Sequence, residues 1–394
     1  APNNLGDPDL KPEVSKEFEI GFNAGLFNDK FNLEFTYWDR ITTDALYARQ
    51  FPLSGGFRNQ QLTNVGELEA NGLEINLSGN IIRKGDLTVN AYVNAAYLQE
   101  NVKSLGGAPP LKVGGSYPRY RNFLQEGFAP GANFGAKLAS VPSGSLPIDI
   151  ANGDGLPDTS QQLIAFLTGN GSYSLPTSIG TGSVLLADED GDGDYLDHYL
   201  GKSTPDWTGA FGGSINYKNW TLNTTFEFKA GNFVINNLTD AFRQANGAIG
   251  RNLPRSAKVA RDYATGGVDG SFTPQGDGNV RLAALDEWLN NTLALAPFSG
   301  LNTLEKADFV RWRELSLNYN ITGSILDQFS LDTASVGLSG RNIAIFTSYT
   351  GVDPEINFVG RGSGSNLDQN YGQGIAAFGW PIPTQVLLTL KVGF

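Results

Sequence analysis

The chain has 394 residues, a formal net charge of −12, and neither cysteine nor methionine. Without cysteine there is no disulfide framework, thiol catalysis or thiolate metal site, and a carboxylate excess argues against nucleic acid, which needs clustered Lys and Arg. No stretch approaches the ~20 apolar residues of a transmembrane helix, whereas 49 glycines, 11% aromatics and a mean hydropathy of −0.22 suit alternating β-strands, in a soluble all-β protein or a membrane barrel alike.

Alternation begins near Ser15. Phe18, Ile20, Phe22, Ala24 and Leu26 alternate with Glu17, Glu19, Gly21, Asn23 and Gly25. After a turn at Phe27-Asn28-Asp29-Lys30 the apolar face resumes at Phe31, Leu33, Phe35 and Tyr37. Period two places such residues on one face of a strand, and tight turns between the runs predict hairpins. A second hairpin uses Leu73, Ile75, Leu77 and Ile81, turns at Arg83-Lys84-Gly85-Asp86 and returns through Leu87, Val89, Ala91, Val93, Ala95 and Tyr97. A third runs through Phe211, Ile215 and Tyr217, turns at Lys218-Asn219, and returns through Trp220, Leu222, Phe226 and Phe228. A fourth pairs Leu315, Leu317 and Tyr319 with Val336 and Leu338. The last run, Val386, Leu388, Leu390, Val392 and Phe394, opposes Thr389, Lys391 and Gly393, with Leu387 breaking the pattern. A chain ending on an aromatic of its apolar face marks Phe394 as an assembly signal of an outer-membrane barrel. Tyr37, Trp38, Tyr97, Tyr217, Trp220 and Tyr319 are read as an outward interfacial girdle.

The connections are unequal. Segments 39–64, 98–207, 229–308 and 344–383 are long and rich in Gly, Asn, Asp and Pro, while the hairpin turns take a few residues. Outer-membrane barrels have short periplasmic turns and long extracellular loops, so Phe394 is expected in the periplasm. About nine strands then begin on a downward one. Closure leaves no strand edge unpaired, and bacterial barrels have even strand numbers, so further strands are expected on other sequence. Counting Ala129–Leu138 as a tenth strand clashes with loop polarity. A start at Ala1, without Met or a signal-peptide core, reads as a processed chain or a piece of a longer one.

Candidate sites lie in the long loops. Asp188, Asp190, Asp192 and Gly193 match the opening of an EF-hand-like loop, with Asp194 and Asp197 nearby. Closely spaced carboxylates and a sharp turn suit calcium, although Tyr199 stands where the closing Glu belongs. A shorter run, Asn152 to Asp158, is similar, and the alternative for both is a solvated acidic turn. The single histidine, His198, reads as an exposed loop residue. No G-x-S-x-G elbow or phosphate loop occurs, so no catalytic residue is assigned. Tyr117, Arg119, Tyr120 and Phe123, with Arg121, Phe128 and Phe134, and Trp288, with Phe242, Tyr263 and Phe298, either hold a sugar or peptide or pack the loops together.

Several segments resemble the SusC/RagA family of TonB-linked outer-membrane proteins. They are LKPEVSKEFEIGFNAGLFNDKFNLEFTYWDRITTDAL at 10–46, NVGELEANGLEINL at 64–77, DEDGDGDYLDHYLGKSTPDWTGAFGGSINYKNW at 188–220, ADFVRWRELSLNYNI at 307–321 and GRNIAIFTSYTGVDPEIN at 340–357. The resemblance implies the last nine strands of a twenty-two-stranded antiparallel transmembrane β-barrel. It implies import of oligomeric nutrients, glycans or peptides, with no chemistry on the substrate. Implied partners are a SusD-like surface lipoprotein, a TonB complex acting through a plug, the N-terminal part of the same barrel and outer-membrane lipid. Within these residues there is no TonB box, plug or carboxypeptidase-like domain, and Thr384-Gln385 replaces the Arg that often precedes the last strand. The rival reading is a structural or adhesive barrel whose long loops bind a partner.

Overall fold

A computed structural model describes residues 8–49, 61–113, 121–135, 196–240, 303–357 and 373–394. In chain order its strands are β1 (Val14–Leu26), β2 (Phe31–Arg49), β3 (Gln61–Lys84), β4 (Leu87–Ser104), β5 (Leu111–Lys112) and β6 (Asn122–Leu124). There follow β7 (Ala132–Gly135), β8 (His198–Gly201), β9 (Trp207–Tyr217), β10 (Trp220–Ala230) and β11 (Val234–Asn237). The last are β12 (Leu304–Lys306), β13 (Phe309–Ile321), β14 (Thr333–Thr347), β15 (Ile375–Ala376) and β16 (Gln385–Gly393), with a short helix, α1 (Ser324–Gln328), before β14.

Nine of them form one antiparallel sheet in the order β1-β2-β3-β4-β9-β10-β13-β14-β16. The apolar residues stay in register across it. Val89, Ile215, Leu222, Leu317, Leu338 and Leu388 form one row over six strands. One residue along, Asn90, Ser214, Asn223, Ser316 and Ser339 form a row on the other face, where Asn90 Nδ2 donates to Ser214 Oγ (3.1 Å). A one-residue slip in any pair would turn that strand's apolar side chains to the polar face. Among the described residues no protein layer covers the apolar face at β16: Leu388 is 76% and Leu390 68% exposed. An exposed row of this kind suits contact with lipid.

Two positions differ from the simple alternation. Trp38 pairs with Glu19 and Gly72 and so lies on the polar face, since its neighbour Tyr37 takes the apolar one. Gly72 makes room for it: a Cβ there would sit 2.6 Å from Trp38 Cζ2. A bulge between Asn80 and Ile82 places Ile82, not Ile81, opposite Val89 on the apolar face.

All short turns lie at one end of the sheet. They are residues 27–30, 85–86 and 218–219 and the α1 segment, and Gly85 takes the positive φ (+55°) that its two-residue turn requires. The opposite end carries the long connections. Strands run further into these than alternation indicated, to Arg49 in β2 and Ser104 in β4. With 24 residues, β3 far exceeds the ~9–11 that cross a bilayer. Ala132–Gly135 within the 129–138 segment is indeed extended, but it joins a small sheet, β5-β6-β7-β8, and not the nine-stranded one. A third sheet, β12-β11-β15, comes from the remaining long connections.

Candidate functional site

At the long-loop end the two small sheets fold over the polar face of the large one. Leu68 and Val102, which face each other on that side of β3 and β4, pack with Leu105, Leu111 and Leu124. Phe309 and Ile345, on β13 and β14, pack with Phe233, Ile235, Tyr349 and Ala376. A parallel bridge between Lys202 and Phe233 joins the small sheets, with the Val234 N–H donating to the Lys202 carbonyl at 2.9 Å. Buried Asn122 ties this seam to a third connection. Its Nδ2 donates to the Gly131 carbonyl (3.1 Å), Ser203 Oγ (3.2 Å) and the Gln373 carbonyl (3.3 Å), while Asn133 Nδ2 reaches the same Ser203 oxygen at 3.1 Å. Three connections thus make one layer.

An ion network pins the layer to the wall. Arg311 on β13 is buried and its Nη2 donates to Asp353 Oδ1 at 2.5 Å; its Nε lies 2.6 Å from Glu355 Oε2, an ion pair without hydrogen-bond alignment. Arg313 contacts Glu355 and also Glu227 on β10, at 2.5 Å. Asp353 further accepts the N–H groups of Glu355 (3.0 Å) and Ile382 (3.3 Å). Below the layer the polar face is lined with amides and carboxylates, among them Glu34, Glu74, Asn76 and Asn94, around a shallow recess between β2 and β9. Such a wall offers hydrogen bonds to a polar solute, and among its described residues no nucleophile is paired with a base.

Burial perturbs several groups of the layer. Lys112 is pushed down to about 8 by desolvation, reinforced by the positive Arg121. The phenols of Tyr199 and Tyr349 are raised, chiefly by desolvation and further by Asp206 for the first and Glu305 for the second. Buried Lys202 forms an ion pair with Asp206 at 2.5 Å.

Of the residues singled out in the sequence, Asp188, Asp190, Asp192, Asp194, Tyr117, Arg119, Tyr120 and Trp288 lie outside the described residues, as does the 152–158 run. Asp197 is exposed, 3.5 Å from His198 Nδ1, and the His198 side chain is largely buried at the start of β8 rather than exposed. Among the described residues no three His, Cys, Asp or Glu side chains are grouped as metal ligands. Phe123 is half-buried and packs edge-on against Phe134 at 5.9 Å, with the Arg121 guanidinium 5.4 Å from its ring centre. Both contacts lie within the loop layer. Phe394 is 87% exposed at the short-turn end. The Arg311–Asp353 network escaped the sequence reading. Its signal was two arginines, Arg311 and Arg313, inside a strand expected to enter a membrane, where an unpaired charge is costly.

Residues 1–161 match the family model described as TonB dependent receptor-like, beta-barrel. Over 94% of its length the chain is 26% identical to TonB-dependent receptor P3 of Formosa agariphila, and over 98% it is 25% identical to receptor P26 of the same organism. It covers 33% and 35% of those proteins, so it spans about a third of the length of the curated relatives it matches. Among solved structures it resembles the RagAB peptide importer in its closed-closed state, with a TM-score of 0.66, 21% identity, and coverage of 99% of this chain and 36% of that one. The open-open state gives a TM-score of 0.63 at 19% identity.

Proposed function

We propose that the chain forms part of the outer-membrane β-barrel of a TonB-dependent receptor, a transporter and not an enzyme, and within it part of the conduit of an importer of oligomeric nutrients; the family-model match over residues 1–161 and the similar receptors support this reading. The long-loop end faces the outside and the short-turn end the periplasm. The layer of small sheets narrows the outer mouth, and the amide- and carboxylate-lined wall below it guides a polar oligomer. A surface lipoprotein of the SusD type closes the mouth, and a TonB complex supplies energy through a plug that lies on other sequence. Peptides are favoured over glycans because the solved structures similar along the whole chain include a peptide importer.

One observation carries this reading: among the described residues, three long connections interlock over the polar face at one end of the sheet, above a hydrogen-bonding wall. The test is uptake of defined oligopeptides and oligoglycans by cells making the full-length receptor, with and without a working TonB complex. Accumulation that needs both supports import. Binding of a surface partner with no TonB-dependent uptake of either class favours the adhesive reading instead.

A further inference from the structure

The short-turn end carries a row of basic residues that the import reading does not use. Lys30 lies in the β1–β2 turn, Lys84 ends β3 and Lys218 begins the β9–β10 turn. The turns are tied side by side: the Asn80 N–H donates to the Lys30 carbonyl at 2.8 Å, and the Lys218 N–H to the Asp86 carbonyl at 3.3 Å. All three lysines are exposed, and none forms an ion pair among the described residues. This stands out in a chain of net charge −12.

Their surroundings are apolar and aromatic. Lys84 is in register with Leu87, itself in register with Tyr217, so it stands on the border of the apolar face. Ile82, Tyr217 and Trp220 are between 43% and 49% exposed beside it, and Lys218 Nζ is 5.5 Å from the Tyr217 ring centre. The nearby acids do not cancel the row. Asp29 turns back toward Gly25 on the polar face, where a Cβ would meet its Oδ1 at 2.1 Å, which leaves Asp86 alone among three lysines. Arg83 pairs with Thr88 and lies on the polar side. Along the rest of the rim Asp327 and Asp332 replace the lysines, so the row is confined to the β1–β10 half.

We propose that Lys30, Lys84 and Lys218 form a docking strip for anionic phospholipid headgroups. A lysine at the edge of a lipid-facing surface lays its alkyl stem on the apolar residues and carries its ammonium to the headgroup level. There the nearest anions are lipid phosphates, and each such lysine strengthens binding by roughly fivefold. The assignment of these headgroups to the periplasmic leaflet rests on the orientation proposed above; the strip itself does not.

The experiment titrates the full-length receptor in detergent with phosphatidylglycerol and with phosphatidylethanolamine of the same acyl chains, counting bound lipids by native mass spectrometry. Wild type should prefer phosphatidylglycerol. The K30Q/K84Q/K218Q variant should lose at least about tenfold of that preference, and K30R/K84R/K218R should keep it. Glycerol phosphate, offered as a soluble competitor, should displace little lipid, because the headgroup binds only with its chains on the apolar face. Equal binding of the two lipids by wild type, or an undiminished preference in the glutamine variant, overturns the proposal. If that variant fails to assemble, a salt titration of wild type decides: the preference must fall as ionic strength screens it. TonB-dependent uptake is scored separately, so loss of the lipid preference with intact uptake is distinct from failure of the import reading.

Discussion

Replacing Asp353 by alanine should detach the loop layer from the barrel wall without unfolding the barrel. Asp353 is buried, accepts Arg311 Nη2 at 2.5 Å, and caps the backbone N–H groups of Glu355 and Ile382. Truncation leaves those two donors without this acceptor, at about 1–3 kcal/mol for each that stays buried. It also removes one of the two carboxylates that compensate buried Arg311. Complete loss of partners for such an ion costs about 3–5 kcal/mol, but Glu355 stays 2.6 Å from Nε and retains part of the compensation. A net local cost of about 3 kcal/mol follows, roughly 150-fold in the opening equilibrium. Hydrogen exchange of the full-length receptor in detergent should show that acceleration in residues 349–357 and 380–384, with the β13 and β14 amides unchanged. Because a buried ion pair can be replaced by apolar groups at little cost, Arg311→Met combined with Asp353→Leu should recover the part of the protection lost with the under-compensated Arg311 charge, but not the part due to the two uncapped N–H groups. Unchanged exchange in Asp353→Ala, or loss of protection throughout β13 and β14, refutes the latch.

Further outcomes can be checked independently. Leu388→Arg should destabilise the barrel by about 2–4 kcal/mol if it sits near the bilayer midplane, whereas Thr389→Arg on the polar face should be nearly neutral; urea unfolding in lipid vesicles separates them. Deleting Phe394 should lower the amount of assembled receptor, read as heat-modifiable migration of outer-membrane fractions; wild-type levels would count against the assembly-signal reading. The Lys112 ammonium loses its proton near pH 8 in the folded layer but near its ordinary value of 10.5 when unfolded. The unfolded state therefore binds more protons in that window, and local stability of the β5–β8 sheet should rise as pH goes from 8 to 10.5. Lys112→Met should abolish the rise in pH-dependent hydrogen exchange. Calcium should bind the run Asp188, Asp190, Asp192, Asp194 and Asp197; calorimetry with Asp190→Asn as control tests this, and identical isotherms would dismiss the site.

The large sheet was legible wherever a short turn fixed a register. Tyr217 opposite Trp220 follows from counting back from the two-residue turn, because a half-buried strand cannot slip by one residue without inverting its faces; the run Leu315, Leu317 and Tyr319 was set against Val336 and Leu338 as a group, and the pairs are Leu317 with Leu338 and Tyr319 with Val336. Legibility failed where alternation was interrupted. The bulge at Asn80/Ile82 exchanged Ile81 for Ile82, and above the apolar band β2 to β4 carry polar residues on both faces, so their ends could not be read. The small sheets were hidden for another reason. Strands of two to four residues, such as β5 and β15, are too short to show a period, and their pairing depends on segments far apart in sequence. The same distance hid the latch, in which Arg311 and Asp353 are 42 residues apart.

The seam in which Asn122 reaches both Ser203 and the Gln373 carbonyl constrains how this loop layer can diversify. A loop that stands alone is free to change length and composition, but these segments share donors and acceptors. Gly374 illustrates the constraint: its φ is +72° and a Cβ there would lie 2.5 Å from the Ser203 side chain, so a change at either residue is felt in the other connection. Grafting one connection from a relative into this barrel should leave buried amides without partners, whereas moving the 121–135, 198–206 and 373–377 segments together preserves them. Changes in these connections would then be inherited as a block, with the whole layer rather than the single loop as the unit of exchange.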